Sequence, residues 1–193
     1  MDTRDTTRQK NQIRDLIIQS ETLWKKGQLE RAESLAQEAL QLIKQDPFNI
    51  FGHGDALHIL GLIHYKKEEF STAEDFLKQA LDLWEKSGTQ KDVLITSFDL
   101  GYVYAKEGKN LLAKECFQRA LALAERLKDS EMMAGILINL GVTHWRLGEL
   151  SEAEMHYQRS IAIYKELDDK TMIKVVQNNL AAVNQARGKL DSI

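Results

Sequence analysis

The run ILINLGVTHWRLGELSEAEMHYQRSIAIY, residues 136–164, decides the fold. Apolar residues recur at spacings of three and four on both sides of a polar break at Gly148, as one buried helical face requires. The break is short, so the two helices are antiparallel neighbours and the run reads as a helical hairpin. Its landmarks repeat along the chain. Leu140-Gly141 stands 40 residues after Leu100-Gly101, which stands 40 after Leu60-Gly61, and Leu180-Ala181 follows at the same interval. A second column of small residues runs Ala32, Ala73, Ala113 and Ala153. A third runs Ala39, Ala80, Ala120 and Ser160, each followed by an aliphatic residue, Leu40, Leu81, Leu121 or Ile161. A constant period of this length is the mark of a repeat architecture.

The small columns have a physical reason. Gly and Ala let two helix backbones approach closely, and a larger side chain would force the hairpin open. Breaks near Gly27, Glu68, Gly108 and Gly148 separate the helices within each hairpin. Polar stretches Ser87-Gly88-Thr89, Lys128-Asp129-Ser130 and Asp168-Asp169-Lys170 separate one hairpin from the next. At the first junction Asp46-Pro47-Phe48-Asn49 stops the helix, Gly52 and Gly54 follow, and the spacing from Ala32 to Ala73 becomes 41. The reading is all-α, with hairpins at about residues 12–46, 53–88, 93–128 and 133–168. A helix at about residues 171–187, ending at Gly188, caps the open end of the stack. Residues 12–193 form one domain, and the polar residues 1–11 either fray or extend the first helix.

Composition agrees. One proline and 11 glycines in 193 residues leave few helix breakers, and 43% hydrophobic with 28% charged residues suits a folded, solvated chain. A net charge of -3 with interspersed signs carries no basic footprint for nucleic acid. No apolar run approaches the ~20 residues of a membrane span, and no signal-peptide core follows Met1-Asp2-Thr3-Arg4-Asp5. A lone cysteine, Cys116, excludes an internal disulfide. A cytoplasmic setting with no membrane partner is expected.

The columns resemble those of tetratricopeptide repeats. The clearest units are Leu57, Leu60, Gly61, His64, Ala73, Leu77 and Ala80, then Leu100, Gly101, Tyr104, Ala113, Phe117 and Ala120, then Leu137, Leu140, Gly141, His144, Ala153 and Tyr157. The first hairpin keeps Leu16, Leu23, Gly27, Ala32 and Ala39. The period of 40, where ~34 is usual, together with Asn139-Leu140-Gly141 and Asn179-Leu180-Ala181, resembles the subclass of kinesin light chains, Pins-type polarity adaptors and bacterial peptide-sensing regulators. The resemblance implies a right-handed α-solenoid of helix-turn-helix hairpins whose first helices line a concave groove for a segment of another protein.

On that geometry the groove-facing residues are Ile17, Glu21, Trp24 and Lys25, then Asp55, His58, Leu62, Tyr65 and Lys66, then Ile95, Phe98, Tyr102 and Lys106. Gly135, Ile138, Asn139, Val142, Trp145 and Arg146 follow, with Val175, Asn178, Asn179 and Gln185 from the cap. Aromatic anchors supply contact area at small entropic cost, and Lys25, Lys66, Lys106 and Arg146 can meet carboxylates, so the expected ligand is an acidic, amphipathic segment, extended or helical. Asn139 and Asn179 can hydrogen-bond a peptide backbone whatever its sequence.

Catalytic and metal chemistry finds no constellation. No two histidines stand four apart on one helix, and His64 and His144 fall in an aromatic packing column. Gly52-His53-Gly54-Asp55 is not followed by a Walker-type lysine. Glu68-Glu69 and Asp168-Asp169 read as solvated surface charge. The expectation is a non-enzymatic adaptor, scaffold or assembly module with no cofactor and no metal. The alternatives are a peptide-responsive regulator and a self-associating structural repeat protein.

Overall fold

The computed structural model describes residues 3–44 and 50–190, and among them every regular element is helical. The Asp46–Asn49 junction lies outside the described residues. The chain divides into two compact units, residues 1–103 and 104–193.

The first unit contains α1 (Thr3–Lys25), α2 (Leu29–Ile43), α3 (Ile50–Lys66), α4 (Phe70–Ser87) and α5 (Gln90–Lys106) as far as Val103. α1 packs on α2 and α3 on α4 as hairpins, and α3 also packs on α1 and α2. α1 takes in most of the polar leading residues. Its helical face extends upstream because Ile13 is buried and the Gln9 side chain donates from Nε2 to the Leu42 carbonyl at 3.1 Å. The core is what the columns prescribe. Ala32, Ala36, Leu60 and Ile63 are fully buried, and a Cβ at Gly61 would stand 2.6 Å from Leu77 Cγ. Ser20 fills the small position in the first hairpin. It is fully buried, and its Oγ donates to the Ala32 carbonyl at 2.7 Å, so the close approach is kept and the hydroxyl is satisfied.

The second unit holds α6 (Asn110–Leu127), α7 (Ser130–Arg146), α8 (Leu150–Glu166) and α9 (Lys170–Leu190). α7 packs between α6 and α8, and α9 lies against α8 with a lighter contact to α7. A Cβ at Gly141 would stand 2.5 Å from the Tyr157 ring. Ser160, in the third small column, donates to the Ala134 carbonyl at 3.0 Å. α9 runs through Gly188 to Leu190, past the end the sequence suggested. Gly188 stays out of the left-handed region, and nothing crowds its Cβ direction.

The turns obey one rule. Gly27, Glu68, Gly108 and Gly148 at the hairpin tips, and Gly88, Lys128 and Asp168 between hairpins, all take positive φ of 53° to 79°. This conformation terminates a helix by turning the chain out of it, and side chains with a Cβ resist it. Asp129 and Asp169 then start α7 and α9, their Oδ1 atoms accepting from the backbone N–H of Met132 at 3.0 Å and Met172 at 2.9 Å.

Candidate peptide-binding surface

In the first unit, side chains one turn apart on α1 and α3 border a groove of about 580 Å³. Ile17, Glu21 and Trp24 come from α1, and Asp55, His58 and Leu62 from α3. Lys10 and Arg14 also line it. Arg14 and Lys10 continue the Ile17 face upstream by three and seven residues, Arg14 inside the expected first hairpin and Lys10 in the polar leader, which carries no apolar period to announce a helix. Lys25 is exposed, and its ammonium bonds Glu21 at 2.6 Å. The Trp24 Nε1 is buried without a hydrogen-bond partner.

The groove's charged lining is mixed, Lys10 and Arg14 with Glu21 and Asp55, and further acidic groups act on its α3 side. His58 Nε2 lies 2.7 Å from Asp99 Oδ2, and both side chains are only 21% exposed. Asp55 stands at the open side, yet the atoms packed around its carboxyl push its pKa up to about 6. Asp92 and Glu21 add to that shift, and His58 opposes it. Asp92 is itself raised by burial, with His58 and Lys91 opposing. Burial likewise raises the Tyr65 phenol, with Tyr102 and Asp99 contributing. Phe98 meets Tyr102 edge to face at 4.9 Å between centroids. Tyr65, Phe98 and Tyr102 are half-buried and Lys66 is exposed.

The second unit carries its own set. Ile138, Asn139 and Val142 are half-buried on α7, Trp145 is 45% exposed, and Arg146 donates from Nη1 to the Ala105 carbonyl at 2.8 Å. Asn139 donates from Nδ2 to the Gly135 carbonyl at 2.9 Å, so one of its amide hydrogens is already engaged within the helix. On α9, Asn178 is exposed and Asn179 half-buried, and Lys106 at the end of α5 is exposed.

Sequence reading missed a feature that repeats between hairpins. His64 and His144 are buried, and each places Nδ1 2.5 Å from the Oε2 of the glutamate five residues later, Glu69 or Glu149. These glutamates are N-cap residues of α4 and α8. Glu69 is therefore a hydrogen-bond partner across the hairpin tip as well as a surface charge. The same pair of positions in the third hairpin holds Tyr104 and Lys109, with Nζ 5.6 Å from the ring centroid. The signal was available as an imidazole and a carboxylate at the same offset in two repeats. Among the described residues no group of three or more histidine, cysteine or acidic side chains could hold a metal ion, and no helix is long and apolar enough to cross a membrane.

Helical hairpins bearing Leu-Gly and alanine columns at this period define a tetratricopeptide-type α-solenoid protein. More particularly, residues 15–192 match the family described as the MalT-like TPR region, and the chain belongs to that family. None of the curated proteins matches the sequence. Among solved structures, BtubC (BKLC) from P. vanneervenii is similar with a TM-score of 0.83 and 21% identity, over 96% of this chain and 76% of that one. Kinesin-light-chain TPR-like repeats from Podosopora anserina match with a TM-score of 0.79 and 17% identity, over 93% and 88%. A Rap protein complexed with competence and sporulation factor matches with a TM-score of 0.71 and 18% identity, over 94% of this chain and 50% of that one. At these identities the likeness is one of fold.

Proposed function

We propose that this protein is a protein-interaction module that holds a segment of a partner protein against the exposed faces of its first helices, and performs no catalysis. The observation that carries the reading is the groove between α1 and α3, which is lined by apolar Ile17, Trp24 and Leu62 together with charged Glu21 and Asp55. Concave surfaces with an apolar floor and few polar groups suit ligand capture. The Rap protein bound to competence and sporulation factor is a precedent on a similar fold. In the second unit the exposed Trp145 and Arg146 suit an acidic, amphipathic segment, with Asn139 and Asn179 serving its backbone. Asn178, Lys106 and Lys66 extend that polar rim.

The test is a pull-down from native lysate with three baits, each confirmed as folded by circular dichroism. They are the wild type, a first-unit variant Trp24→Ala, and a second-unit variant Asn139→Ala with Trp145→Ala and Arg146→Glu. A partner captured by wild type and lost with either variant supports the reading. A partner retained by both variants moves the site elsewhere, and no partner at all counts against an adaptor.

A further inference from the structure

The first unit's groove is more specific in its electrostatics than a generic peptide channel. Glu21 on α1 and Asp55 on α3 both line it. Two more carboxylates come from α5: Asp92, which acts on Asp55 and is itself opposed by His58 and Lys91, and Asp99, bonded to His58 at 2.7 Å. Of the cations beside these four carboxylates, the Lys25 ammonium is tied to Glu21, the His58 imidazole to Asp99, and Lys91 acts on Asp92, so Asp55 has no ion-pair partner of its own among the described contacts. The groove's own cations, Arg14 and Lys10, precede Glu21 on α1 by seven and eleven residues, about 10 Å and about 16 Å along the helix, and so line its upstream stretch. Burial first, and then Asp92 and Glu21, disfavour the ionised carboxyl of Asp55, with His58 opposing, and a cation placed beside Asp55 and Glu21 would favour their charged forms.

We infer that the groove between α1 and α3 takes a cationic, amphipathic peptide segment, with an arginine or lysine of the ligand seated against Asp55 and Glu21 and its apolar residues on Ile17, Trp24 and Leu62. The inference rests on the proposed peptide capture and gives its first-unit ligand a charge, opposite in sign to the acidic segment that the lysine and arginine positions alone suggest. Lys10 and Arg14 then sit where the same segment turns acidic or presents a carboxylate, so the groove also sets the ligand's direction. Guanidinium is the better fit, because its fork can bond two carboxylates at once.

A random dodecapeptide display library, selected on the wild-type protein, tests this. The enriched peptides are then made synthetically and titrated against wild type, against Asp55→Asn with Asp92→Asn, and against Leu62→Gln with Ile18→Gln, Ile18 being an exposed apolar residue of the same lining, each confirmed as folded. The Asn changes remove charge at constant shape, and the Gln changes remove apolar contact at constant charge. The expected result is enrichment of arginine- or lysine-bearing apolar peptides, weakened about tenfold or more by the Asn pair and by raised salt. Enriched peptides that are acidic or uncharged, or cationic peptides indifferent to the Asn pair, overturn the inference. If such peptides are still lost on the Gln pair, capture in the groove stands and only its charge preference falls. Peptides indifferent to both pairs, or no enrichment at all, remove capture in this groove and the inference with it.

Discussion

The imidazoles of His144 and His156 lie against one another in the second unit, ring centroids 4.9 Å apart and planes 34° from parallel. His144 Nε2 and His156 Nδ1 are both buried without a hydrogen-bond partner. Burial, then the neighbouring His144 and Arg159, bring the His156 pKa down to about 4. In the unfolded chain a histidine titrates near ~6.5. Between these values the unfolded state binds the proton and the folded state does not, so stability is full above the upper value and falls as pH drops through the window.

His156→Phe is expected to remove that loss. The second hairpin supplies the precedent, because Phe76 occupies the same place and stacks on His64 at 5.2 Å and 14°. Thermal melts from pH 7.5 to 4.5 should show the wild type losing a few kcal/mol more than the variant, within the limit of ~1.4 kcal/mol per pH unit that one proton allows. Parallel curves would remove His156 as the cause.

Two glycines on α7 should respond to alanine with opposite signs. Gly135 has nothing within 4 Å of a Cβ, so Gly135→Ala should gain about 0.5–1 kcal/mol of helix propensity. Gly141→Ala would press on the Tyr157 ring from 2.5 Å and should cost about 1–3 kcal/mol despite the same propensity gain. Urea melts of both variants decide the matter, and a stabilised Gly141→Ala would mean that α7 and α8 can separate freely.

Glu68 holds a left-handed φ of 62° where three other hairpin tips have glycine. Glu68→Gly should therefore stabilise the first unit by about 0.5–1 kcal/mol, and Gly108→Ala should destabilise the second by a similar amount. Chemical denaturation with each variant against wild type reads both signs. Equal and small effects would show that the tips tolerate either residue.

Ser97 is 1% exposed, its hydroxyl has no hydrogen-bond partner, and the corresponding places in the neighbouring hairpins hold Leu57 and Leu137. Ser97→Ala should raise the urea midpoint, corresponding to about 1 kcal/mol, because it removes an unsatisfied polar group from the core. A lowered midpoint would mean the hydroxyl finds a bond in solution.

The hairpins were legible because their cause is periodic. A close helix crossing demands a small residue at one fixed place per repeat, and Gly61, Gly141 and Ala153 record it. Ser20 escaped because a polar residue stands where glycine does elsewhere, and only its bond to Ala32 explains its burial. The polar residues 1–11 left fraying and extension of α1 both open, because Lys10 lines a groove instead of filling a core. The resemblance put the groove on the first helices and helical spacing then picked out Ile17, Glu21, Trp24, Asp55, His58 and Leu62, which border one cavity. The acidity of their surroundings did not, because Glu21, Asp55, Asp92 and Asp99 come from three helices with no common interval.

Within each unit a helix touches the one before it, the one after it, or at furthest the next but one. Among the described residues no strand waits for a distant partner, and the loop that must close before any pair of helices meets is at most about one repeat long. Such a chain can begin to order at any hairpin and grow outward, with a rate set by local search instead of total length. The same economy makes the ends the weakest points. Amide exchange in the second unit should be quickest in α9, which rests mainly on α8, and slowest in α7 and α8, which are covered on both sides.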